Sequence, residues 1–510
     1  MTLRRPLSLL AATAALLATS AVTAPASAHG DADRIERLRT GLAADRNIPL
    51  IASPNVDLLA SVPGATGISG CFMRTAPLFV MSNLDSVRVY DVSEPAAPRL
   101  TGVLPSLQFE NEAMHCGERR TRAGTERFAL IGVDLYQASP GDIQHVNDPL
   151  TGGAELVLVD VTDPAAPRIR SRVRGTTSTH TVACIAETDC RYAYSAGSDG
   201  AFSIFDLRDL DRPRELDSDP GKPGTQPFGS PTAGHKWNFD AAGYGTHTGY
   251  DGSSVFDVTR PRRPKLVTTT GLAGRGDDPA FPGYNDFIHH NSFRPNAKAF
   301  RPNAKPSFAN GNVLLVTEED YMQTDCAQAG SFQTWHVKRL GGRPGQIVPL
   351  DKVELADLGS FPLPHGAFCS AHWFDYHPSG IVAVGFYGGG TQFVDVRNPR
   401  KIKPFGHATW GVSEVWDTYW VPRYTKAGLA RGKTNLAYSV DAVRGLDVYR
   451  VDLPGRAAPA TSPALGSTNP FAVLSWPQDA VPITVLGLGV LTLGLLRRRA
   501  AVTTRTRRRT

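Results

Sequence analysis

Residues 156–169 read LVLVDVTDPAAPRI: a β-branched apolar run, an acidic turn, then a new extended segment opened by proline. The apolar run suits a buried strand. In the turn, Asp and Thr side chains can bond backbone N–H groups two residues on, and proline keeps the following strand at a sheet edge. The pattern predicts strand–turn–strand. It recurs at residues 87–100 (VRVYDVSEPAAPRL), 202–216 (FSIFDLRDLDRPREL), 254–266 (SVFDVTRPRRPKL) and 392–404 (QFVDVRNPRKIKP). Asp91, Asp160, Asp206, Asp257 and Asp395 occupy the same place in the five copies. Residues 331–337 (SFQTWHV) and 445–451 (GLDVYRV) form two degenerate copies, with His336 and Arg450 where the others have Asp.

The compact units share an order. A strand with an early His comes first, then an apolar strand ending in small residues, such as YAYSAG at 192–197 or IVAVGFYGGG at 381–390. The strand before the Asp and the strand after the prolines follow. Four short antiparallel strands, repeated, predict the blades of an all-β propeller, and seven units predict seven blades at residues 50–455. Blades usually span about 40–50 residues, so the longer units should carry insertions, at residues 119–126, 138–153, 271–284 and 296–309. The seventh unit stops before its fourth strand. Residues 54–64 (PNVDLLASVPG) resemble residues 98–104 (PRLTGVL) and should supply it, closing the ring without a free edge.

The two ends have a different composition. Residues 1–28 carry Arg4 and Arg5, an apolar run and Ala26-Ser27-Ala28, which predicts a cleaved export signal. Residues 29–49 are a charged spacer with some helical character. Residues 456–479 are an Ala/Pro/Ser/Thr-rich stalk, 480–496 an uncharged apolar segment predicted to be a transmembrane helix, and 497–510 a basic tail expected on the cytoplasmic side. The net charge of +6 is a product of these ends. Nine of the 54 Lys and Arg residues lie in the signal and tail, leaving 45 against 48 acids between them. The propeller is therefore no basic surface, and nucleic acid is excluded as an expected partner.

Six cysteines in an exported chain predict disulfides. Cys184 and Cys190 bracket a tight hairpin, and Cys71 with Cys116 and Cys326 with Cys369 are the remaining pairing expected.

The xVxDVxxP…P repeat in an exported chain resembles the LVIVD-repeat proteins, over residues 55–453. That resemblance implies a secreted or surface seven-bladed β-propeller and no particular reaction. The fifth and seventh units depart from the motif.

The repeat aspartates also serve as rulers. His180 lies 26 residues before Asp206, His235 22 before Asp257, and His372 23 before Asp395. Similar offsets place all three in the first strand of a blade, which lines the channel. His115, in the motif EAMHC, and the pair His289-His290 precede the inner strands of the two insertion-bearing blades. Glu414 is the nearest polar candidate in the seventh. These histidines predict a ring of imidazoles on the axis, suited to a transition metal, copper or zinc. The competing reading is a repeated structural histidine that bonds backbone in every blade. Glu318, Glu319 and Asp320 end an apolar strand, as solvated loop residues or as groups that support the ring as acid or base. A likeness in fold and histidine placement to the selenium-binding-protein and methanethiol-oxidase propellers implies a copper site. The turn aspartates need only a capping role, and Gly388-Gly389-Gly390 only a strand-end turn.

Two functions are compatible with this. The first is a membrane-anchored extracellular binding or scaffold protein for a protein or glycan, with a metal at the channel as an option. The alternative is a metal-dependent, copper-type oxidase or hydrolase with its active site in the channel.

Overall fold

Each sequence unit becomes one four-stranded antiparallel sheet, and the sheet register shows why the repeat has its form. In the computed structural model the described residues are 50–455, without 65, 106–111, 134–154, 233, 271–283, 285–286, 321–322, 324–325, 327, 342–344 and 360–368. The predicted signal, spacer, stalk, transmembrane segment and tail lie outside the described residues. So do the insertion at 138–153 and all but Tyr284 of that at 271–284. Among the described residues no helix is long and apolar enough to cross a membrane.

Blade 1 orders its strands Gly67–Phe72, Leu78–Asn83, Ser86–Asp91 and Arg99–Pro105 from inside outward. Blade 2 is His115–Thr121, Gly124–Val133, Glu155–Asp160 and Arg168–Arg174. Blade 3 is Val182–Cys184, Tyr192–Ser195, Ile204–Asp206 and Arg214–Glu215; blade 4 is Trp237–Phe239, Tyr244–Gly249, Gly252–Asp257 and Lys265–Thr269. Blade 5 is Ile288–Phe293, Val313–Glu319, Phe332–Val337 and Ile347–Val353, and blade 6 is Phe374–His377, Ile381–Gly385, Thr391–Asp395 and Lys403–Trp410. Blade 7 takes Val415–Tyr424, Ala430–Asp441 and Gly445–Val451 from the C-terminal end and Val56–Val62 from the other. The N-terminal strand thus completes the last blade. Leu50–Ala52 adds an unforeseen fifth strand to blade 6 by pairing with Lys403–Trp410.

The middle strands are buried on both faces, as Leu78–Asn83, Glu155–Asp160 and Ile381–Gly385 are throughout, because each blade is covered by its two neighbours. That burial explains their nearly continuous apolar composition. The core is divided accordingly. One cluster joins blades 1 and 2 through Val80, Val89, Ala129 and Val159, and another joins blades 2 and 3 through Leu130, Leu158 and Phe205. The series continues around the ring to Phe79 and Tyr90 of blade 1 against Tyr438, Leu446 and Val448 of blade 7. Each fully buried Leu, Val or Phe contributes about 1.5–3 kcal/mol.

The seven repeat positions are equivalent in register. Asp91, Asp206, Asp257, Asp395 and His336 pair with the first residue of the second strand, and Asp160 and Arg450 pair with Phe128 and Leu436, inside second strands that extend further outward. The aspartates cap turns: Oδ1 of each accepts the backbone N–H two residues on, from Ser93, Thr162, Arg208, Thr259 and Arg397. Opposite them on the outer strand stand Arg99, Arg168, Arg214, Lys265 and Lys403. In blade 7 the pair is reversed: Arg450 faces Asp57, with its guanidinium 2.7 Å from the carboxylate.

All three expected disulfides are present: Cys71–Cys116, Cys184–Cys190 and Cys326–Cys369. The first ties the inner strands of blades 1 and 2, and the third ties blade 5 to the approach to blade 6. Their sequence separations of 45 and 43 correspond to about 4 kcal/mol each if loop closure in the unfolded chain dominates.

Candidate metal centre

One residue from each of several blades meets on the axis, and the start of each inner strand places it. His180, His235 and His372 each lie two residues before an inner strand, those beginning at Val182, Trp237 and Phe374. His290 lies within its strand, Ile288–Phe293, at a bulge. Pairing steps from His289↔Glu318 to Asn291↔Thr317, so His290 is the extra residue. A bulge re-aims a side chain, and here it sends His290 to the axis. Backbone bonds fix the level. Ala113 bridges Thr181 in parallel, which sets Glu112 beside His180. The Thr181 hydroxyl donates to the carbonyl of His235, and that of Thr248 to the carbonyl of His290 at 2.9 Å.

At the centre of these rings lies the Glu112 carboxylate. Its Oε1 is 2.8 Å from His290 Nε2 and 2.6 Å from His372 Nε2. Its Oε2 contacts His180 Nε2 and lies 3.4 Å from that of His235. Glu319, at the end of a buried strand in blade 5, brings a second carboxylate, 3.5 Å from His290 and 4.0 Å from His372. The rings lie tilted against one another in series: His235 and His290 have centroids 4.1 Å apart, His290 and His372 4.0 Å. Trp373 lies against His290 at 4.0 Å. The His290, His372, Glu112 and Glu319 side chains are fully buried, whereas those of His180 and His235 keep 10% and 7% of their surface. Within this centre His180 and His235 thus keep a little ring surface, while Glu112 Oε2 and His235 Nε2 themselves are buried.

Two further groups orient it. The Tyr387 hydroxyl donates to Glu319 Oε1 at 2.5 Å. Burial, reinforced by Glu319 and Glu112, raises the Tyr387 phenol well above its ordinary pKa, so it remains a donor. Tyr387 has φ 46°, a left-handed conformation costly for a bulky side chain, at the turn that also contains Gly389 and Gly390. The glycine run is therefore a turn, as expected, and the turn places a phenol in the site. The second group is the carbonyl of Trp416, 2.7 Å from His372 Nδ1. A carbonyl can only accept, so Nδ1 carries a hydrogen, and Nε2 is the ring nitrogen that faces Glu112.

Not every expected residue joins this group. His115 stands in the inner strand of blade 2, with Nδ1 3.1 Å from the Cys116 carbonyl and 3.4 Å from the Cys184 nitrogen, and Nε2 3.8 Å from Glu187. Burial holds its pKa down at about 4. Glu112, three residues earlier, has the level assigned to it. His289 points the other way across its strand, bonded to Ser253 at 3.0 Å and edge-on to Trp335, with burial lowering its pKa to about 3. Glu318 alternates away from Glu319 and is held by the N–H of Phe287, Ser331 and Gln333. Glu414 accepts the Trp416 indole N–H at 2.9 Å and so acts on His372 through Trp416.

Glu112 and Tyr387 were not legible as site residues. The Asp ruler could not place Glu112, because the insertion at 138–153 separates it from Asp160. Tyr387 sits in the site only through its positive φ.

Two buried carboxylates and four imidazoles form two sets of potential metal ligands, Glu112 with His290, Glu319 and His372, and Glu112 with His180 and His235. Within each set the donor atoms lie within 4.8 Å of one another. No protein-family profile matches the chain. No curated protein matches it either. Among solved structures, the chain is similar to the β-propeller domain of Cps50 (Swd1) from Myceliophteria thermophila, at 12% identity and a TM-score of 0.46. That match covers 78% of this chain and 100% of the other. A likeness at this level carries no argument about function, so the seven-bladed fold rests on its own sheets, and the site on its own geometry.

Proposed function

We propose that the axial centre binds divalent first-row transition metal and is the active site of a metal-dependent oxidase or hydrolase in an exported protein. The observation that carries this reading is His372. Its Nδ1–H is engaged by the Trp416 carbonyl, and its Nε2 faces the Glu112 carboxylate at 2.6 Å. A contact this short needs a proton or a metal ion between the two atoms, and the gathering of three further imidazoles and the Glu319 carboxylate around Glu112 favours the metal. Ligand atoms about 3 Å apart form the edge of a coordination polyhedron around an ion with bonds near 2.1 Å. A buried uncompensated charge costs several kcal/mol, an expense that a plain scaffold has no use for.

The mixed imidazole and carboxylate set, without thiolate or thioether, suits Zn²⁺ or Cu²⁺ better than Cu⁺. The side at His180 and His235, where the ligand set is smaller, is where substrate would approach. Export is part of the proposal. It is supported by the signal read at residues 1–28 and by three disulfides, which fit an oxidising compartment. An anchor at residues 480–496 would hold the propeller outside the cell, as the LVIVD-repeat resemblance implies. An extracellular scaffold for a protein or glycan is the second reading, favoured by that placement alone.

The test is elemental analysis of protein purified without a histidine tag, beside the His290→Ala/His372→Ala variant. Stoichiometric metal in the first and its loss in the second are expected. Metal-free protein that takes up no Zn²⁺ or Cu²⁺, or uptake unchanged by the substitutions, would refute the reading.

A further inference from the structure

We infer that the axial centre holds two metal ions bridged by the carboxylate of Glu112, one ion enclosed by four protein ligands and one held by three with a free coordination position. This rests on the metal-binding reading above and sharpens it.

The donor atoms do not form one cage. They fall into two sets, His290, His372 and Glu319 in one and His180 with His235 in the other, and Glu112 belongs to both. Its two oxygens are divided between them, Oε1 toward His290 and His372 and Oε2 toward His180 and His235. An ion with bonds of about 2.1 Å has ligand atoms no more than about 4.2 Å apart. A single ion placed for one set therefore leaves the other pair of imidazoles to a second. A carboxylate that gives one oxygen to each ion suits the spacing of about 3.5–4 Å found in two-metal sites.

The two positions differ in kind. The enclosed one has four protein ligands, His290, His372, Glu319 and one oxygen of Glu112, all fully buried. Tyr387 fixes Glu319 and Trp416 fixes His372, so its ligands are oriented from outside. Four protein ligands complete a tetrahedral shell, the pattern of a structural ion. The open position has three, His180, His235 and the other oxygen of Glu112. Three protein ligands and a free position are the pattern of a catalytic ion that carries water or substrate. Two divalent ions also outweigh the two carboxylates, leaving the open position electropositive.

The experiment uses the full chain without an affinity tag, stripped with chelator and titrated with Co²⁺. Bound metal is counted by elemental analysis, and magnetic coupling is read by low-temperature EPR. The inference predicts two equivalents, spin-coupled, one released to chelator at least tenfold faster than the other. His180→Ala/His235→Ala should retain the single slow equivalent and lose the coupling. Circular dichroism checks that each variant is folded, and His180→Gln/His235→Gln serves if the alanine variant is not. One equivalent in the unsubstituted protein, or two without coupling, overturns the bridged pair and leaves the metal-binding reading standing. No bound Co²⁺ overturns both.

Discussion

The rim and the axis of this propeller carry the same kind of repetition with opposite results. At the rim, Asp91, Asp160, Asp206, Asp257 and Asp395 each cap a turn in their own blade, and each copy is satisfied locally. At the axis, His180, His235, His290 and His372 come from four blades and share one carboxylate, Glu112. A ring of repeats leaves outer copies independent and brings inner copies into contact. Distance from the axis decides whether a repeated residue is architecture or a site.

The strongest test of that contrast is Glu112→Ala. It removes the group common to all four imidazoles, so metal affinity should fall about a thousandfold, beyond the 10–100-fold typical of outer supporting partners. Competition with a chromophoric chelator would measure it, and a loss below tenfold would break the comparison. His247 separates burial from convergence. It is a fully buried imidazole off the axis, stacked on Trp237, with burial lowering its pKa to about 4. The unfolded chain takes up this proton near pH 6.5, so stability is full above that pH and declines as pH falls toward 4, by about 3 kcal/mol. Urea midpoints at pH 7 and pH 4.5 should show the decline, with a smaller one in His247→Gln. Tyr387→Phe is expected to weaken metal binding about tenfold, since only the bond to Glu319 is lost. An unchanged affinity would exclude Tyr387 from the centre. The smallest effects belong to the rim. Asp91→Ala and Asp395→Ala should each cost about 1 kcal/mol, and the double variant should be additive within about 0.5 kcal/mol. Axial pairs such as His180→Ala with His372→Ala should instead couple in metal affinity by about 1–3 kcal/mol.

The blades were legible because turn chemistry is local: an Asp that caps the residue two on leaves its mark in adjacent letters, even where a blade departs from it at His336 or Arg450. The Cys184–Cys190 disulfide followed from its hairpin spacing, whereas cysteine number alone does not choose the partners of the other four. The axial histidines were legible where the interval to the turn carried no insertion, as for His180, His235 and His372. Blade 2 defeated the ruler, and the level given to His115 belongs to Glu112. Between His289 and His290 the choice is made by a bulge, a one-residue slip that no periodicity marks. Tyr387 depends on a positive φ, which its own residue type disfavours. The fold was thus written in local patterns, and the site in departures from them.

The reversed pair in blade 7 bears on how the ring assembles correctly. Six outer strands follow their partners directly in the chain, but Val56–Val62 must find its partner across nearly the whole domain. Asp57 meets Arg450 there. At the corresponding edge of blades 1, 2, 3, 4 and 6 it would meet an aspartate, and like charges directly opposite destabilise a strand pair. The swap works as an address. It favours, for the last strand, the joint that closes the ring over five edges that share its shape.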